Sequence, residues 1–212
     1  TGFVRDLDKL PLPVKSAPGF LVNAVLAPYM LAAMRQVDAG LSAASIDAAM
    51  TRFGMPMGPL ELADTVGLDI ALAAGSTIAQ ARGEDLSLTV PLCLKSRVDA
   101  KQLGKKTGQG FYLWKDGKRE DANGSKGAGA GTSGSQEALA LTLIEPLIAA
   151  AQELVRQGVV DDADLADAGI IFGTGFAPFR GGPLHWWSSQ SSGQGQPAAK
   201  TETAAPAEAV SS

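Results

Sequence analysis

The sequence predicts an all-α fold made by duplicating one helical unit, and three observations predict it. Two long segments carry apolar residues at helical spacing. They are Val22, Val25, Leu26, Tyr29, Met30, Ala33, Met34 and Val37 in the first, and Leu139, Leu143, Ile144, Leu147, Ile148, Ala151, Leu154 and Val155 in the second. Each holds a proline, Pro28 or Pro146, and each reaches a glycine suited to a helix stop, Gly40 or Gly158, twelve residues further on. Each is then followed by a polar stretch, a shorter helical segment (Ala44 to Phe53, Asp164 to Phe172) and a glycine/proline loop, "FGMPMGPLE" or "FGTGFAPFRGGPL". Duplication of a helical unit accounts for all three.

The remaining elements follow in order. "KLPLPVKS" reads as one short extended segment with no partner before it. Leu60 to Ala81 carries more helical pattern, and Val90 to Leu103 another amphipathic segment. "GQGFYLWKDGK" is an aromatic run ending in an Asp-Gly turn. Residues 115–135 are Gly/Ser-rich and read as a flexible linker, and 188–212 lack aromatic, Leu and Ile residues and read as a disordered tail. The expected organisation is a leading remnant (1–16), a first helical domain (17–114), the linker (115–135), a second, truncated repeat (136–187) and the tail (188–212). The chain starts with Thr1, which hints at a piece of a longer protein.

Composition narrows the function. A net charge of −4 argues against a nucleic-acid-binding surface. No apolar run reaches the ~18 residues of a membrane span, so none is expected. Cys93 is the only cysteine, which rules out an internal disulfide and favours a reducing compartment, the cytoplasm. One His and one Cys are too few for a metal site.

Several motifs tempt and fail. "GAGTSG" (Gly129 to Gly134) matches the dinucleotide pattern, but no strand precedes it, so it reads as linker. "LGKKTGQG" resembles a phosphate loop with Asp99 in place of the first glycine, and reads as a solvated turn. His185, the only histidine, has no acid nearby in sequence to orient it and reads as packed or surface-exposed. Glu61, Asp64 and Glu145 read as structural, Asp64 favouring an early helical turn and Glu145 lying within an apolar face.

Several long stretches, taken together, resemble the C-terminal part of the 3-hydroxyacyl-CoA dehydrogenase family: "KLPLPVKSAPGFLVNAVLAPYMLAA", "IDAAMTRFGMPMGPLELADTVGLDIA" and "KKTGQGFYLW". "ADAGIIFGTGFAPFRGGPL" resembles the duplicated repeat of the multifunctional fatty-acid oxidation α-type chains. The resemblance implies a duplicated helical C-terminal domain, with residues 1–16 as the last strand of a Rossmann domain that is otherwise missing. It implies an NAD-dependent oxidation of 3-hydroxyacyl-CoA to 3-oxoacyl-CoA, with NAD held mainly by the missing domain and no cofactor-binding residue in this chain. Without that domain the isolated chain is expected to be inactive. The partners implied are an acyl-CoA substrate and either a homodimer or a thiolase-containing β-oxidation complex.

Asn23 then has two readings. As a cap it would satisfy free N–H groups at a helix start, although Pro18 is well placed for an earlier first turn. In the family the Asn of "PGF-x-x-N" hydrogen-bonds the substrate's 3-oxygen, where a neutral donor stabilises developing negative charge. Asn23 is thus the one catalytic residue the resemblance assigns here, though Ala24 stands where the family usually has Arg. Met55, Pro56, Met57, Gly58 and Pro59 are implied to line the acyl cleft. The rival reading is a non-catalytic dimerisation or scaffold module. A short-chain 3-hydroxybutyryl-CoA dehydrogenase is disfavoured because the shorter enzymes usually carry one copy.

Overall fold

The computed structural model describes residues 12–81, 83, 90–120 and 133–193. Eight helices and one hairpin lie within them. The helices are α1 (Val22–Asp38), α2 (Ala43–Phe53), α3 (Pro59–Val66), α4 (Leu68–Ala81), α5 (Leu92–Asp99), α6 (Ser133–Arg156), α7 (Ala163–Thr174) and α8 (Pro183–Gly193). The strands β1 (Leu113–Lys115) and β2 (Lys118–Glu120) pair antiparallel between α5 and α6.

The two long amphipathic segments become α1 and α6, and they pack on each other at the centre of the molecule. On α6, the face read from the sequence is the face that is buried: Leu143, Ile144, Leu147 and Ile148 are at most 2% exposed. Each such side chain contributes on the order of 1.5–3 kcal/mol through removal from water. α1 is buried more widely than its periodicity implies, since Ala24, Ala27, Leu31 and Ala32 are also inside. The second copy covers the side of α1 that the first copy leaves open. By length and composition α6 could cross a membrane, unlike any run foreseen from the sequence, but its apolar face here is core.

Several boundaries differ from expectation. Leu60 to Ala81 is two helices bent by 101° at Gly67, whose φ of +106° ends α3. Residues 115–120, expected as linker, form the β-hairpin around an Asp116–Gly117 turn with both φ positive, the geometry that matches strand twist. Tertiary bonds described below hold that hairpin down. Ser133–Ser135, also expected as linker, open α6, and 188–193, expected as tail, extend α8. The predicted N-terminal strand falls largely on 1–11, outside the described residues. Residues 12–17 are in no strand, and the Lys15 N–H donates to Val159 O at 2.9 Å. "GAGTSG" lies mostly outside the described residues as well, with its last two positions in the first turn of α6.

Candidate functional site

The segment around Asn23 begins with a turn rather than a helix. Phe20 N–H donates to Ala17 O at 2.9 Å, and helix α1 starts only at Val22, later than Pro18 implied. The residue before the helix is Leu21, which supplies no side-chain cap. Asn23 therefore lies one residue inside the first turn and is not the cap. Its side chain is exposed, and it makes no hydrogen bond among the described residues. Ala24, by contrast, is buried at 4% exposure, and the close approach of Gly19 leaves little room around it. The position where the family usually carries Arg thus points into the fold, away from the exposed face of Asn23.

The second copy braces this helix start. A Cβ on Gly169 would lie 2.4 Å from Leu12 and 2.6 Å from Leu21, and one on Gly173 would lie 2.5 Å from Val22. Two small residues four apart let α7 approach the N-terminal end of α1. Just beyond them, Gly175 faces Pro56 of the "GMPMGP" loop. In that loop Met55, Gly58 and Pro59 are buried, Pro56 is exposed and Met57 is half-buried. Of the five residues expected to line a cleft, only Pro56 and Met57 present a surface.

The loop is fixed by a buried carboxylate that the sequence reading passed over. Asp47, on α2, accepts the N–H groups of Leu60 (2.9 Å) and Glu61 (3.0 Å) at the start of α3 and the Tyr112 hydroxyl at 2.7 Å. It serves as the cap that Gly58 cannot be, supplied from 13 residues away. Gly58 is required beside it, because a Cβ there would sit 2.1 Å from the Asp47 Cγ. Burial pushes the Asp47 carboxyl up to about 6 against the opposing pull of these three donors.

The same device recurs in the second copy. Asp167 on α7 accepts the N–H groups of Leu184 (2.8 Å) and His185 (2.9 Å) at the start of α8, and a Cβ on Gly182 would meet it at 2.3 Å. The two "G-P-L" stretches are therefore equivalent helix starts, each capped by an aspartate on the preceding helix. His185 is an exposed surface residue whose backbone, not its ring, carries this role. Asp38 does likewise for α5, accepting from Leu92 and Cys93 at 2.8 and 2.9 Å. The Cys93 thiol is pushed up to about 12 by burial first and by Asp38, which leaves it inert as a nucleophile.

Asp64 is structural, as expected, but not through the helix dipole. It is fully buried and accepts Phe111 N–H, Tyr112 N–H and Trp114 Nε1–H, each at 2.9 Å, tying the aromatic run to α3. Its carboxyl is raised by burial, in part offset by the same donors. Arg119 of β2 reaches Glu61 at 2.6 Å and lies 4.8 Å above the Tyr112 ring. In the "LGKKTGQG" stretch Lys106 pairs with Asp69 at 2.6 Å and Lys105 lies over Trp114, so this is a packed turn. Glu145, expected within an apolar face, is exposed.

Residues 19–114 match the family model described as "3-hydroxyacyl-CoA dehydrogenase, C-terminal domain". The chain carries the C-terminal domain of the 3-hydroxyacyl-CoA dehydrogenase family. It is 34% identical over 197 residues to a fatty acid oxidation complex subunit alpha of Pseudomonas syringae, covering 88% of this chain and 27% of that protein. The chain thus spans about a quarter of the length of the curated relatives it matches. Among solved structures, a 3-hydroxybutyryl-CoA dehydrogenase from Escherichia coli is similar with a TM-score of 0.69 at 22% identity, over 89% of this chain and 56% of that one, a likeness of fold alone. An (S)-3-hydroxybutyryl-CoA dehydrogenase from Ralstonia eutropha gives a TM-score of 0.50 at 34% identity, over 54% of this chain and 41% of that one. The E. coli likeness, over 89% of this chain, extends beyond the first helical unit.

The resemblance to this family implies a nicotinamide dinucleotide. Among the described residues the one sheet is the antiparallel hairpin, so no parallel strand leads a glycine turn into a helix that could hold a pyrophosphate. These residues do not fit NAD.

Asp47 and Asp167 escaped the sequence, and Asp64 was given the wrong structural role, because their donors lie 13 to 65 residues away along the chain. A signal was available. Both copies place an aspartate in the shorter helix ahead of a Gly-Pro-Leu stretch.

Proposed function

We propose that this chain is the substrate-side portion of an NAD-dependent 3-hydroxyacyl-CoA dehydrogenase of fatty-acid β-oxidation, with Asn23 as its catalytic residue. NAD, when bound elsewhere in the enzyme, supplies the hydride chemistry. Asn23 Nδ2–H donates to the C3 oxygen of the acyl thioester and stabilises the negative charge that gathers there. Pro56 and Met57 lie along the acyl chain. In this reading the first unit, 17–114, presents Asn23, and the second braces the helix that carries it. The whole works as a homodimer or within a thiolase-containing complex, as a relative of proteins named fatty acid oxidation complex subunit alpha.

The observation that carries the reading is the exposed amide of Asn23, unbonded among the described residues, in the first turn of a helix without a side-chain cap. A structural amide would be spent on the cap. The test is backbone hydrogen exchange of the chain with acetoacetyl-CoA or with free CoA. The reading requires protection over residues 19–25 by the thioester, absent with free CoA and lost in Asn23→Ala. No protection by either would leave a dimerisation or scaffold module.

A further inference from the structure

We propose that Asp47 and the Tyr112 hydroxyl are positioning groups that set the 54–58 loop, and through Pro56 and Met57 the fit of a long acyl chain. This deepens the substrate reading above and rests on it.

The two copies supply the comparison. In both, an aspartate on the shorter helix caps the next helix through two backbone N–H groups, with a glycine pressed against its carboxylate. A cap needs nothing more, and among the described residues Asp167 has no third donor. Asp47 alone receives a third donor, the Tyr112 hydroxyl at 2.7 Å, from a segment 65 residues away. That hydroxyl is itself located by a rigid frame: the Tyr112 N–H is bonded to Asp64 at 2.9 Å, and Arg119 stands over its ring while bridging to Glu61. The start of α3 is thereby tied to the aromatic run and the hairpin as well as to α2. The loop 54–58 is the short span between the end of α2 and that fixed start. Its first residue, Gly54, packs against Ala177 and Phe179 of the second copy, so both ends are held. Between them only Pro56 and Met57 reach the surface. A tilt of α3 would be felt by these two residues first.

Reach separates the two ends of a substrate. A four-carbon 3-oxoacyl group ends close to its C3 oxygen and depends on Asn23, whereas a ten-carbon chain extends to contacts beyond it. The experiment measures dissociation constants of acetoacetyl-CoA and 3-oxodecanoyl-CoA for the full chain by isothermal titration. Tyr112→Phe should weaken the ten-carbon ligand by about tenfold, the worth of one hydrogen bond, and the four-carbon ligand by less than about twofold. Asp167→Asn should leave the ratio between the two unchanged. Should Tyr112→Phe fail to fold by circular dichroism, Asp47→Asn reads the same ratio. Asn23-dependent binding in which Tyr112→Phe weakens both ligands equally, or neither, overturns the positioning role alone. Binding that is absent, or indifferent to Asn23→Ala, overturns the substrate reading and the proposal with it.

Discussion

The hydroxyl of Tyr112 donates to the carboxylate of Asp47 over 2.7 Å and closes a loop of 65 residues between the aromatic run and α2. Around this bond the first unit is assembled from carboxylates that serve backbone groups remote in sequence. Its consequences for stability can be stated as numbers.

Tyr112→Phe removes one donor from a charge-assisted bond and leaves Asp47 its two backbone N–H groups. A loss of about 1.5–3 kcal/mol is expected. Urea unfolding should show a lower midpoint with an unchanged slope. An unchanged midpoint would mean that the hydroxyl bond contributes nothing.

Asp64→Ala is a heavier change, because it orphans three donors at once: two backbone N–H groups and the Trp114 indole N–H. About 3–5 kcal/mol should be lost, the range for breaking a buried polar cluster by removing its charged member. The near-ultraviolet circular dichroism of the Trp114 region should collapse with it. A variant that keeps both wild-type stability and that signal would show that the aromatic run is held by packing alone.

Stability should rise as the solution becomes moderately acidic. Asp47 has its carboxyl raised by burial from 3.8 to about 6, so the folded chain holds this proton more tightly than the unfolded chain. Between those two values the folded state binds more protons, and lowering the pH through 6 towards 4 stabilises it. A shift of about two units corresponds to about 3 kcal/mol. Asp64 and Asp167 are also raised by burial and act in the same direction. Urea midpoints at pH 7.5 and pH 5 should differ in that sense, and Asp47→Asn should narrow the difference. A wild-type chain that weakens steadily from pH 7.5 to 5 would contradict this.

The join between the copies should fail at a named point. Arg180 lies 4.0 Å above the Phe53 ring and donates through Nε to the Phe53 carbonyl at 3.0 Å, while Trp186 meets Phe53 edge-on at 5.0 Å. Arg180→Ala should cost about 1–3 kcal/mol through the lost cation–π contact and hydrogen bond. Urea unfolding should then show a lower midpoint. An unchanged midpoint would place the strength of the join in α1 and α6 instead.

What the sequence made legible was the part governed by local period. The faces of α1 and α6 and the stops at Gly40 and Gly158 follow from spacing and backbone freedom within one turn of helix. The hairpin was half-visible: its Asp-Gly turn could be read, but β1 is held by Trp114–Asp64 and β2 by Arg119–Glu61, bonds that cross about 50 residues or more. Composition alone therefore assigned "KDGKRE" to a linker. The start of α1 was misplaced for a similar reason. Pro18 fits a first helical turn locally, yet Gly19 and Phe20 take positive φ and hold a separate turn against the helix. Asn23 stood out as an amide in an apolar run, but its exposure was decided by the second copy, which packs on Leu21 and Val22 beside it.

The central claim is that Asn23 acts on the substrate's C3 oxygen. The most direct measurement is NADH oxidation with acetoacetyl-CoA by the chain mixed with a separately expressed nucleotide-binding half from a relative, for wild type and Asn23→Ala. The account predicts no rate from the chain alone, a rate on mixing, and a fall of about 10²-fold or more with Asn23→Ala, the scale for losing one donor to a developing oxyanion. Equal rates for wild type and Asn23→Ala, or oxidation by the chain alone, would contradict it.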